Sequence, residues 1–145
     1  MSRTILVPHD GSSNAQAALK YALETVPDAR IVLFHAIDPF EVRPEDEGDG
    51  LPPLTEAWYD DQRAAATDLL EKARDGVADR ADDVTFELET AVGAPPQTIV
   101  AAVNDTDADQ IVIGRCGRSG PEEIRMGSTA EHVVKRASVP VTVVQ

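Results

Sequence analysis

The sequence predicts an α/β fold: an open, five-stranded parallel sheet in the order 3-2-1-4-5, with helices on both faces. Three observations predict it. Five short β-branched, apolar runs alternate strictly with four helical patterns, as in parallel sheets wrapped by helices. Three of those runs, Thr4–Pro8, Arg30–Ala36 and Gln110–Ile113, are almost continuously apolar, as strands buried on both faces are. A fourth, Val84–Thr90, instead alternates Val84, Phe86 and Leu88 with Thr85, Glu87 and Glu89, the pattern of a half-exposed edge strand. With the third strand at an edge, the order above follows and the chain reverses direction between strands 1 and 4. Ligands of such sheets bind at that reversal, beyond the carboxyl ends of the strands.

The elements follow in order. After Thr4–Pro8, a helix over Ser13–Val26 carries Ala15, Ala18, Leu19, Ala22, Leu23 and Val26 on one stripe, with Ser13 and Gln16 as a capping box. Strand Arg30–Ala36 follows. A second helix over Thr55–Ala78 has Trp58, Ala65, Leu69, Ala73 and Val77 as its stripe, which puts Trp58 in the core. Strand Val84–Thr90 leads to a third helix opened by Pro95-Pro96, with Ile99, Ala102 and Val103 inward. Strand Gln110–Ile113 leads to a fourth helix, Ser128–Ala137, with Ala130, Val133, Val134 and Ala137 inward and a capping box of Ser128 and Glu131. Val139–Val144 is the last strand. The proline-rich, acidic stretch Asp38–Pro53 fits no element and is read as a loop, either a lid over the ligand crevice or a solvated acidic excursion.

Composition bounds the function. The 145 residues are one domain's worth, 1–145, without internal repeat. Acidic residues number 26 against 13 basic, a net charge of −13, which argues against nucleic acid as a partner. One cysteine, Cys116, permits no intrachain disulfide. The first apolar run, Ile5-Leu6-Val7, is too short for a signal peptide or a membrane span, so a soluble, cytoplasmic protein is expected. The surplus of acid, with Asp ahead of Glu, matches adaptation to a salty, halophilic cytoplasm.

Chemistry concentrates between strand 4 and helix 4. Gly114 and Gly117 shape the exit from the strand, and Gly127-Ser128 stands at a helix start, where unpaired N–H groups and the helix dipole favour an anion. Two readings stand: a phosphate cradle, or a tight strand-to-helix connection. Over Gly114–Gly127, Arg115, Arg118 and Arg125 face Glu122 and Glu123, a local charge of +1 on a chain otherwise at −14. A side chain at Gly127 is expected to block phosphate at little expense to the fold. His9, Asp10 and His35 end adjacent strands, without the local spacing of a metal site.

The pattern Gly-x2-Gly-x9-Gly-Ser resembles the ATP-binding signature of the universal stress protein family at every fixed position. The start Ile5-Leu6-Val7-Pro8-His9-Asp10-Gly11-Ser12, Phe34–Asp38, Val92–Pro95 and Ala137–Val141 agree in order, so the resemblance covers essentially the whole chain. It implies a Rossmann-like fold and an adenine nucleotide, ATP with Mg²⁺. Pro8 and Asp10 would line the adenosine side, Ala36 would meet adenine through its backbone, and Ile113 would pack beside the nucleoside. Gly114, Gly117, Gly127, Ser128 and Thr129 would hold ribose and phosphates, with Arg115 and Arg118 screening the charge. Cys116 stands where many members have His, and Pro121 with Glu122-Glu123 replaces a more apolar stretch.

The expectation is therefore a homodimeric, nucleotide-binding stress-response module, paired through Val139–Val144. Two alternatives are a partner-binding protein of the same fold that uses no nucleotide, and a slow ATPase. The phosphate loop contains no lysine to favour fast transfer.

Overall fold

The computed structural model describes residues 3–39, 55–116 and 126–145. Its elements are β1 (Thr4–Pro8), α1 (Ser13–Thr25), β2 (Arg30–Ile37), α2 (Glu56–Asp75), a 3₁₀ turn (Ala78–Arg80), β3 (Thr85–Val92), α3 (Pro95–Thr106), β4 (Gln110–Gly114), α4 (Ser128–Arg136) and β5 (Val141–Val144). All strand pairs are parallel, and the order is β3-β2-β1-β4-β5. The expected Rossmann-like sheet is present, with β3 and β5 at its edges.

The two-residue period of the strands divides the core. Ile5, Val7, Ile31 and Leu33 pack with Leu19 and Leu23 of α1 and Leu70 of α2 on one face. Leu6, Val32 and Phe34 pack with Ile99 and Val103 of α3 and Val133 of α4 on the other. β1 and β4 pair at Ile5–Gln110 and Leu6–Ile111, and the chain reverses between them.

Several local readings are corrected. The cap of α1 is Ser12, whose Oγ accepts the Ala15 N–H at 3.1 Å, not Ser13. The N-cap of α4 is Gly127, which has no side chain to cap with, and Glu131 pairs with Lys135 one turn on, so the Ser128–Glu131 box does not form. The α2 stripe is Ala66, Leu70 and Ala73, continued by Val77 beyond the helix. Ala65 is exposed, and Trp58 is half-buried, edge-on to Tyr59, instead of in the core. Val134 lies 100° around α4 from buried Val133 and is exposed. β5 begins at Val141, because Pro140 has no N–H to give and enters the ladder only by accepting from Ile111. Residues 40–53, most of the supposed loop, lie outside the described residues.

Candidate functional site

The carboxyl ends of β1, β2 and β4 converge with the first turns of α3 and α4 around one cavity of about 510 Å³. That volume suits a small-molecule ligand.

The turn after β1 is built by side chains bonding to backbone N–H groups. His9 Nδ1 accepts from Gly11 at 3.0 Å, Asp10 Oδ1 accepts from Ser12 at 3.0 Å, and Ser12 then caps α1. Gly11 sits at φ +88°, in the left-handed region that glycine occupies without strain. His9 and His35 are both buried, and the Nδ1 of His35 donates to the His9 carbonyl at 2.8 Å. Burial holds the His9 imidazole below its ordinary value, against the opposing pull of its Gln16 bond and the Asp10 charge. Both ring nitrogens of His9 are engaged, which removes it as a metal ligand. Among the described residues, no group of three or more His, Cys, Asp or Glu is placed to hold a metal.

On the β4 side, glycine at 114 is a packing requirement. A Cβ there would lie 2.8 Å from the carbonyl carbon and oxygen of Asn14, in the first turn of α1. Asn14 is held in turn by its Nδ2, which donates to the Cys116 Sγ at 3.0 Å. A Cβ at Gly127 would meet the Cα and Cβ of Cys116 at 3.2 and 3.3 Å. A side chain at 127 presses on the exit from β4, so the small expense expected there requires Cys116 to give by a few tenths of an ångström. Arg115 braces this junction through its backbone: its N–H donates to Val144 and its carbonyl accepts from Gly127, both at 2.8 Å.

Of the residues singled out in the sequence, Pro8, Asp10, Ala36, Ile113, Gly114, Gly127, Ser128 and Thr129 line this cavity together. Arg115 is not among its lining residues, and Gly117 and Arg118 lie outside the described residues. The lining also includes residues that sequence reasoning did not assign, chiefly His9, Phe34, His35, Asp38, Pro95, Pro96 and Cys116. The prolines opening α3 carried a signal for a helix start, but only the sheet order brings that start to this crevice.

The start of α4 gives the site its chemical character. Ser128, Thr129 and Ala130 line the cavity, and the N-cap, Gly127, makes no side-chain cap among the described residues. First-turn N–H groups have no partner within their helix and carry partial positive charge, so they suit an anion. The same cavity is lined by the apolar Phe34, Ala36, Ile99 and Ile113, with Asp10 and Asp38 just beyond the strand ends.

The model of the universal stress protein family matches residues 1–145. The chain belongs to that family. It is 30% identical to universal stress protein MJ0577 of Methanocaldococcus jannaschii, over all of this chain and 96% of that one. The solved structure of MJ0577 superposes with a TM-score of 0.79, covering 99% of this chain and 96% of the other. UspA from Lactobacillus plantarum superposes with a TM-score of 0.75 at 28% identity, covering 99% and 97%. More distant structures of the same fold include the universal stress protein from Archaeoglobus fulgidus in complex with dAMP, at 20% identity and a TM-score of 0.61, covering 100% and 98%. A family member from Arabidopsis thaliana with AMP bound, at 19% identity and 0.65, covers 98% and 90%. A universal stress protein in complex with cAMP, at 22% and 0.69, covers 99% and 97%.

Proposed function

We propose that the cavity binds an adenine nucleotide, ATP with Mg²⁺ carried on its phosphates, and that the chain is a homodimeric stress-response regulator of the cytoplasm. The observation that carries this reading is the start of α4, with a glycine at its N-cap, which shares one cavity with the carboxyl ends of β1 and β2. Phosphates would meet the N–H groups at Ser128–Ala130. The nucleoside would lie toward Ala36 and Ile113, with Pro8 and Asp10 at its edge. The AMP, dAMP and cAMP complexes of fold neighbours support an adenine ligand. Mg²⁺ is assigned to the phosphates because no group of potential metal ligands gathers among the described residues. Pairing of two copies through the β5 edge completes the reading.

Calorimetry on nucleotide-stripped protein in high KCl tests it, with Ser128→Asp as the variant. An added carboxylate in the first turn favours the helix dipole and so spares the fold, yet it repels phosphate. Ser128→Asp should weaken ATP at least about tenfold while leaving adenosine nearly unchanged, since roughly 1.4 kcal/mol separates each decade. No binding by the wild type up to millimolar ATP would refute the reading and favour nucleotide-independent partner binding. Equal ATP affinity in the variant would remove the phosphates from α4.

A further inference from the structure

His9 lies at the boundary of two cavities. With Ser12 it lines both the candidate nucleotide site and a groove of about 840 Å³ between α1 and α2. Its ring is the middle of a hydrogen-bond chain whose ends are backbone groups of fixed polarity. At one end the Gly11 N–H can only donate, and it donates to His9 Nδ1 at 3.0 Å. At the other, the Ala73 carbonyl of α2 can only accept, and it accepts from Gln16 Nε2 at 3.1 Å. Gln16 therefore turns Oε1 toward His9, whose Nε2 donates to it at 2.8 Å. One tautomer of neutral histidine satisfies every member. A second proton on the ring sets two donors against each other at Gly11.

We propose that His9 is a positioning residue of the nucleotide site: braced by Gln16 and the Ala73 carbonyl, its neutral ring fixes the Asp10–Ser12 turn in the shape that receives the ligand. This rests on the nucleotide reading above and adds its regulation, because protonation of His9 releases the turn and couples affinity to acidity. The charged and titratable groups around the ring are Asp10 beside it, His35 from β2, Lys20 from α1, and Asp68 and Lys72 from α2. The Gln16 bond and the Asp10 charge favour the imidazolium. Burial is the largest influence and keeps the ring neutral at neutral pH.

The test is ATP–Mg²⁺ binding to the full chain in high KCl from about pH 7.5 to about pH 5.5, spanning the range in which histidine changes charge. His9→Leu leaves the Gly11 N–H without its partner and should weaken ATP about five- to tenfold at neutral pH. His9→Asn should recover most of that loss, because an asparagine oxygen reaches the N–H two residues on, and it cannot titrate. The terminal phosphate of ATP titrates near pH ~6 in the same window, so the readout is the difference between wild type and His9→Asn. Acidification should weaken the wild type more than His9→Asn, by less than about tenfold at the acid end, because burial holds the ring below the ordinary histidine value. Hydrogen exchange at the Gly11 amide, taken as protection against the intrinsic rate at each pH, gives a ligand-free readout: high protection in the wild type, lower in His9→Leu, and falling in the wild type as His9 protonates. Parallel pH profiles, or unchanged Gly11 exchange in His9→Leu, would overturn the role of His9 alone. Absent ATP binding at neutral pH with Gly11 exchange as expected would instead overturn the nucleotide reading, and with it the ligand that His9 is said to serve.

Discussion

Replacing Gly114 with alanine should destabilise the fold by about 2 kcal/mol. The added Cβ would lie 2.8 Å from the Asn14 carbonyl carbon and oxygen and 3.1 Å from the Ala15 nitrogen. The first two contacts are about 0.6 Å inside the ordinary limit of 3.4 Å. All three atoms belong to backbone, so no flexible side-chain end can swing aside. The first turn of α1 is also held at both ends, by the Ser12 cap and by the Asn14–Cys116 contact. Overpacking against such a surface costs roughly 1–3 kcal/mol. Removing a strand glycine returns about 0.5–1 kcal/mol, which leaves a net loss near ~2 kcal/mol from the upper half of the first range. For a chain of this size the midpoint should fall by about 4–8 °C. Thermal and urea unfolding in high KCl measure it. A shift smaller than about 1 °C would show that β4 and α1 are not in close register, and the geometry argued for the cavity would fail with it.

Molar KCl should raise the melting temperature strongly over low salt, because repulsion among 26 carboxylates acts over a Debye length of ~30 Å at 0.01 M. A flat melting temperature between those limits would defeat the halophilic reading. Light scattering should report a dimer at micromolar concentration, and a charged substitution on the β5 edge, Thr142→Lys, should convert it to monomer; a monomeric wild type refutes the interface. ATP turnover should stay below about 0.1 per second, well under the usual 1–1000 per second of enzymes. Faster metal-dependent turnover that Ser128→Asp abolishes would turn the argument toward an enzyme.

The sheet was legible because its strands carry their burial in their composition. β1 and the middle of β2 are apolar and buried, while the alternating Phe86, Glu87, Leu88 and Glu89 placed β3 at the edge where it stands. Pro8 and Asp10, at the end of β1, and Gly127-Ser128, at the start of α4, were legible as neighbours of one crevice, and they line the same cavity. Two misreadings share one cause: a polar side chain near a helix start was assigned to the nearest backbone. Gln16 looked like the second half of a capping box, yet its side chain turns inward to His9 and Ala73. Glu131 looked like the same device, yet it faces Lys135. In α2 the bulk of Trp58 drew the stripe one residue out of phase with Ala66 and Leu70. The choice at Gln16 is made by Ala73 on another helix, which local spacing does not encode, whereas the Glu131–Lys135 pair at i and i+4 lies within α4 itself.

The site also makes a demand that its charge sharpens. A chain at −13 and a triphosphate repel each other at long range, so the attraction that holds them must act at contact. In the proposed site the first-turn N–H groups of α4 would supply such an attraction, because they act over hydrogen-bond distances that salt does not screen. The repulsion, by contrast, reaches about 10 Å at 0.1 M salt and about 3 Å at 1 M. Raising KCl across that range should therefore tighten ATP binding or leave it unchanged. A phosphate site built on lysine and arginine behaves in the opposite way and loses affinity as salt rises. Calorimetry across a KCl series, at fixed Mg²⁺ and neutral pH, separates the two. Weakening by tenfold or more would mean that arginines of the Gly114–Gly127 segment, Arg115, Arg118 or Arg125, hold the phosphates, and that the start of α4 does not.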